Sequence, residues 1–305
     1  MAPNLRPMPK KGPYTQGIAV LFGEPVALAD LEPLLKDYRI SQRIPQGAHW
    51  ALGGPTLLLD YLPAVNGRVS LDVVSRPWPD AMDEDETVFA AWTMGCFGPF
   101  AYPENLSRAL QHSYGFAEAA AVVDRHQCFV RIRSSYLFGA QPDSAALPEA
   151  YNAVEELQFV TSIALQLLQH PAALCYFNPN GEVLAPLHSM QQILAHYAGR
   201  QLPPLDLWCN VRMFAMEEGQ VLMDTVGMQQ LDLDDLEVVF DSSQFEPEEM
   251  ARFLRNASLF VSSRGPLIRA GHNLDGPAGK LFQAQQPDQS PVAPPRTTMR
   301  FLAQG

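Results

Sequence analysis

The sequence predicts an α+β fold of mixed, largely antiparallel sheets flanked by helices, in two closely packed halves. Three observations carry that expectation. Asn66-Gly67 stands between the β-rich runs 56–62 and 68–75, and Asn-Gly in that setting signals a hairpin because both residues accept positive φ. Residues 148–170 read as one long helix, with Pro148 at its start and Pro171 just past its end. Residues 205–262 read as strand, turn, strand, third strand and closing helix.

Residues 17–22, GIAVLF, suit a buried first strand. Lys10 and Lys11 precede that run, but Glu24 and Pro25 cut it to about seven apolar residues, at the bottom of the range for a secretory leader, so a first core strand is the better reading. The cytoplasm is the expected location. No stretch approaches the roughly 18 apolar residues of a membrane span. Leu28, Leu31, Leu34, Leu35 and Tyr38 then follow helical spacing, so strand, helix and hairpin form a βαββ subdomain over residues 14–98. A C-terminal α+β domain over residues 99–283 follows. Its helices fall at 103–112, 116–123, 148–170, 187–198 and 247–261, and its strands at 126–135, 173–177, 205–216, 220–226 and 236–240. Residues 284–305 form a Pro/Gln-rich tail in which 297–302 can return as an edge strand.

Charge narrows the partners. The chain has 305 residues, with 33 acids against 21 bases and a formal net charge of −12. Phosphate neutralisation needs cationic groups, so nucleic acid is excluded as a partner, and an anionic membrane surface is disfavoured. A basic protein is the natural complement. Between residues 213 and 251 there are eleven Asp and Glu and no Lys or Arg. Strand alternation is expected to set several of Asp232, Asp234, Asp235, Glu237 and Asp241 on one exposed face. A second cluster, Asp80, Asp83, Glu84, Asp85 and Glu86, reads as a loop or an acidic first helical turn. The candidate partner-binding residues are Asp232, Asp234, Asp235, Glu237, Asp241, Asp83, Glu84, Asp85 and Glu86. The alternative for them is a solvated face that only aids solubility. Trp78, Trp92 and Phe245 are candidate apolar anchors or core residues.

Signatures of catalysis are sparse. Nucleotide-binding glycine loops, the nucleophile elbow, HExxH and the EF-hand loop are all missing. His188 and His196 lie two helical turns apart, too far to share a metal. Cys96, Cys128, Cys175 and Cys209 are widely spaced and read as buried reduced thiols. No catalytic residue, metal or cofactor is expected. The most enzyme-like stretch is GHNLDGPAG, residues 271–279, where His272 and Asp275 could pair; a turn-rich connection in which Asn273 and Asp275 cap backbone groups is the stronger reading.

Thr225, Gly227 and Met228, then Asp235-Leu-Glu-Val-Val, a helix and Asp275-Gly276 resemble a bacterial domain family of unknown function. The likeness runs from about Cys128 onward. The chain departs from the family pattern at Gln229-Gln230-Leu231, and its acids are more numerous. The whole chain is also similar to immunity proteins encoded beside type VI secretion toxins in Gram-negative bacteria. That resemblance implies a cytoplasmic, non-enzymatic inhibitor whose partner is a cognate secreted toxin, most plausibly a nuclease effector, met through the acidic surface. The alternative is an enzyme or small-ligand-binding protein with its site near residues 271–279.

Overall fold

The structure, a computed structural model, describes residues 11–47, 49–82, 85–140 and 146–304. These fall into two compact units, Lys11–Trp208 and the described chain from Cys209 onward. The fold is α+β, with one largely antiparallel sheet in each unit.

The strands of the first unit are β1 (Gln16–Phe22), β2 (Ile40–Ile44), β3 (Thr56–Leu62), β4 (Gly67–Val74), β5 (Cys128–Ser135), β6 (Ala173–Asn178) and β7 (Val183–Ala185). They order as β2-β3-β4-β5-β1-β6-β7, and every pairing is antiparallel. β1 is buried along its whole length, as its unbroken apolar run demands of a central strand. The division between the units falls at Trp208/Cys209 rather than at 98/99, because β5 lies between β4 and β1 and so ties residues 128–185 to the first sheet.

The hairpin at Asn66-Gly67 forms, but its turn is longer than two residues. A 3-10 turn over Pro63–Val65 leads into Asn66 at φ 59°, and Asn66 Nδ2 donates to Tyr136 O (2.8 Å) and Phe138 O (2.9 Å). A Cβ at residue 67 would lie 2.9 Å from Leu62 Cβ, so glycine is required there by close approach.

Helices in the first unit are α1 (Leu28–Leu31), α2 (Glu86–Thr93), α3 (Asn105–Gln111), α4 (Ala119–Arg125), α5 (Ala153–Leu167), α6 (Leu187–Ala198) and α7 (Leu205–Trp208). α5 starts later than its prolines suggest, because Asn152 Oδ1 accepts from Val154 N (3.0 Å) and Glu155 N (3.2 Å) and caps it. Residues 205–208, expected as strand, turn helically after Pro203-Pro204, and Trp208 Nε1 donates to Thr161 Oγ1 at 2.9 Å. Trp78 and Trp92 are core rather than anchors, with Trp78 5.0 Å from both Phe129 and Phe177 and Trp92 4.5 Å from Phe97 between ring centroids. All four cysteines are buried free thiols.

The second unit carries β8 (Asn210–Ala215), β9 (Gln220–Val226), β10 (Asp235–Asp241), β11 (Asn273–Asp275), β12 (Leu281–Gln285), β13 (Thr298–Ala303) and α8 (Pro247–Arg264). The order is β11-β12-β13-β10-β9-β8, with β10 and β13 parallel and the other pairs antiparallel. The tail strand expected at an edge is therefore interior, held between β10 and β12. α8 covers one sheet face through Met250, Phe253, Leu254 and Ala257 against Leu236, Val238, Phe240, Phe282 and Phe301. Phe245 belongs to that core too. Among the described residues no helix is long and apolar enough to cross a membrane.

Candidate functional site

The face of the second sheet opposite α8 holds charge. Registers align Arg212 on β8 with Asp224 on β9, Asp224 with Glu237 on β10, and Glu237 with Arg300 on β13. Four charged side chains thus form one row across four strands, by the same period-2 rule that faces Leu236 and Val238 toward α8. Arg212 grips Asp224 with two bonds, Nε–Oδ1 at 3.0 Å and Nη2–Oδ2 at 2.8 Å, and both side chains are fully buried. Arg300 Nε donates to Glu237 Oε1 at 2.7 Å.

Arg296, just before β13, closes the cluster. Its Nη2 donates to Asp224 Oδ2, its Nη1 to Val292 O (3.1 Å) and Pro294 O (2.8 Å), and its Nε sits 3.6 Å from Asp235 Oδ2. Asp235 Oδ1 accepts from Thr225 Oγ1 and from Met228 N, each at 3.0 Å. Gly227, at φ 120°, turns the chain so that Met228 N reaches that carboxylate. The Thr-x-Gly step of the sequence is thus the socket of Asp235. Burial pushes the Asp235 carboxyl up to about 6, against the opposing pull of Arg296.

Two of the predicted recognition acids are therefore corrected. Asp235 and Glu237 are buried and ion-paired, so neither belongs to an exposed face. Alternation does set them side by side, but on the buried side of the sheet. Asp232 is exposed and Asp234 half-buried in the turn before β10. Asp241 is half-exposed and accepts from Ser243 N (2.8 Å) and Ser243 Oγ (2.7 Å), and the Ser243 hydroxyl bond above all holds its carboxyl below the usual range. Asp85 caps α2, accepting from Val88 N at 2.8 Å, with Glu86 exposed in the first turn. Asp83 and Glu84 lie outside the described residues. The two acidic clusters belong to different units.

A different set of acids does share an exposed end of the second sheet. The turn Glu217–Gly219 joins β8 to β9, and Ser242 N and Oγ donate to Gly219 O at 3.3 and 3.1 Å. That contact sets the Glu217–Gly219 turn against the chain just past Asp241, the last residue of β10, and from there the chain runs through Glu246 to Glu248 in the first turn of α8. Glu217, Glu218, Glu246 and Glu248 are all exposed. The sequence signal for this end was the base-free window 213–251 itself.

The glycine-rich loop is built for packing. A Cβ at residue 276 would fall 2.2 Å from the Phe282 ring, so Gly276 lets the chain cross that side chain. His272 and Asp275 are both exposed, and a groove of about 240 Å³ beside the loop is lined by Glu249, Arg252, Phe253, Asn256, Asp275, Gly276 and Pro277. Asp275 reaches this groove and His272 does not. Among the described residues no group of three or more His, Cys, Asp or Glu is arranged to hold a metal ion.

The fold and the buried charge row define an α+β protein with a sheet stitched across one face by ion pairs. A model of a domain of unknown function, DUF4261, matches residues 224–302, roughly a quarter of the chain. The match begins at Asp224 and takes in Asp235, Glu237, Arg296 and Arg300, but not Arg212. No curated protein and no solved structure matches the chain.

Proposed function

We propose that this chain is a non-enzymatic binding protein that captures a basic protein through the acidic end of its second sheet. Glu217, Glu218, Asp241, Glu246 and Glu248 supply the charge, and the Ser242–Gly219 contacts that join the Glu217–Gly219 turn to the end of β10 at Asp241 are the observation that carries the reading. Rim charges of this kind set encounter rate and salt sensitivity more than final affinity. The partner class follows from the sequence resemblance to immunity proteins: a secreted bacterial toxin, a nuclease effector with a cationic cleft, neutralised in the cytoplasm. The Asp85–Glu86 turn is a second acidic element available to such a partner.

Affinity capture from the native host tests the reading, using the native chain and a variant with Glu217→Gln, Glu218→Gln, Asp241→Asn and Glu246→Gln. The native chain is expected to retain one basic protein at low salt, release it at high salt, and protect cells that co-express it. Retention of no basic protein, or equal retention by the variant, ends the proposal. The groove at Asp275 favours a second reading, a small-ligand site. A rise in melting temperature with a metabolite, abolished by Arg252→Ala, would select it.

A further inference from the structure

The acidic end adjoins a sheet margin that no other strand of the described residues covers. β8 is the terminal strand of its sheet. Met216 N donates to Gln220 O at 2.9 Å, which makes residues 216 and 220 a hydrogen-bonded pair. Such pairs alternate along an antiparallel ladder, so Asn210, Arg212 and Phe214 turn their backbone groups toward β9. Val211, Met213 and Ala215 therefore turn N–H and C=O away from the sheet. Met213 and Met216 are 40% and 41% exposed, and Ala215 is exposed as well. Side chains at 211, 213 and 215 share one face, and Val211 on that face packs into the core under α8.

We propose that the margin of β8 accepts an extended segment of a basic partner protein as an added strand, with Lys or Arg at the end of that segment nearest the Glu217–Gly219 turn. This rests on the acidic-surface reading and supplies its geometry. Strand addition draws affinity from main-chain bonds and specificity from alternate side chains. Three outward-facing residues match a guest of about five residues, whose alternate apolar side chains would extend the face of Val211, Met213 and Ala215. Beyond Ala215 the guest meets Glu217 and Glu218, with Asp241, Glu246 and Glu248 beside them. No Lys or Arg occurs between residues 213 and 251 to answer those acids. A second copy joining through the same stretch brings the same acids and no Lys or Arg from residues 213–251, so the guest is a different, cationic protein. The usual guards of an open strand, a Lys or Pro on the margin itself, are lacking from β8, where the one cation, Arg212, is buried against Asp224.

The test uses the complete chain and defined peptides: acetyl-Arg-Lys-Val-Thr-Val-Thr-amide, the reversed sequence, a copy N-methylated at alternate residues, and a copy with Glu-Glu replacing Arg-Lys. Binding is read by fluorescence anisotropy, and amide exchange at Val211, Met213 and Ala215 by mass spectrometry. One of the two basic peptides is expected to bind and slow exchange at those amides. Ala215→Pro removes a single outward N–H while leaving the ladder to β9 intact, so it should weaken binding about fivefold. Met213→Lys should weaken it too, by adding a guard charge. The N-methylated and acidic copies should bind weakly or not at all.

Equal binding by the N-methylated copy overturns strand addition and leaves the acidic reading standing; equal binding by the acidic copy overturns both. Absence of binding by both basic peptides also sinks the inference. So does slow exchange at 211, 213 and 215 in the free chain that depends on protein concentration, which assigns the margin to a second copy. Slow exchange relieved by deleting residues 1–10 assigns it to the chain's own leading segment.

Discussion

Each of the two sheets buries a carboxylate between two arginines, but the surroundings of the two sites differ. In the first sheet Asp72 on β4 meets Arg131 and Arg133 on β5, with Arg131 Nη2–Oδ2 at 2.6 Å and Arg133 Nη2–Oδ1 at 2.8 Å. Apart from Arg133 Nε, which is buried without a hydrogen-bond partner, the surplus donors go to backbone carbonyls: Arg131 to Ala51 O (2.6 Å) and Trp50 O (2.7 Å), Arg133 to Leu52 O and Cys96 O (both 3.2 Å). Gly54 N adds a further bond to Asp72 at 3.0 Å. Although burial opposes it most strongly, the combined pull of the two guanidiniums and Gly54 holds the Asp72 carboxyl below the ordinary range. In the second sheet Asp224 meets Arg212 and Arg296, but Asp235 and Glu237 crowd the same face. Anions there share their cations, and burial above all, with a smaller push from Asp224, raises the Asp235 carboxyl to about 6. A buried ion pair fixes a structure only as well as its hydrogen-bonding surroundings finish the job.

The largest effect should come from Asp72→Ala, which strands two buried guanidiniums and releases the 50–54 segment. A loss of about 3–5 kcal/mol, read from the urea midpoint, is expected. Asp224→Ala should cost less, about 2–4 kcal/mol by the same measure, because Asp235 remains 3.6 Å from Arg296. Equal losses would mean that Asp235 does nothing for Arg296.

Acidity separates the clusters more sharply. Asp72 has a depressed folded pKa, so its stabilisation is present above the ordinary value near 3.8 and is lost as the pH falls through the folded value. Asp235 has a raised one, so its ionised form is penalised in the fold. That penalty is nil below about 3.8 and complete above about 6. The variant Asp235→Asn should therefore gain on the native chain as pH rises through this window, by roughly 1–3 kcal/mol. Urea titrations at several pH values check it, and a constant difference across the window would refute the assignment. The smallest effect belongs to the exposed acids. Neutralising Glu217, Glu218 and Glu246 should leave stability within about 0.5 kcal/mol while changing salt-dependent association.

The backbone plan was largely legible in the sequence. Residues 187–198 and 220–226 were bounded correctly because Pro186, Gly199, Gly219 and Gly227 punctuate them. β2, ISQRI, escaped notice because its middle residues are exposed and polar, so no apolar alternation marks it. The charge cluster was half legible. Asp235 and Glu237 were correctly placed on one face, yet the face was misjudged because their cations are remote. Arg212 stands just outside the base-free window, and Arg296 and Arg300 lie within the Pro/Gln-rich tail. Pairing across more than sixty residues leaves no local trace in the chain.

The parallel neighbours β10 and β13 impose an order of events during folding. β8, β9 and β10 adjoin in sequence and can zip together at once, whereas β13 must arrive after α8, β11 and β12 have been laid down. Non-local closure of that kind is slow, and until it happens the donors and acceptors along β10 stand open to any passing strand. Late arrival of β13 therefore lengthens the time in which β10 is open to wrong partners.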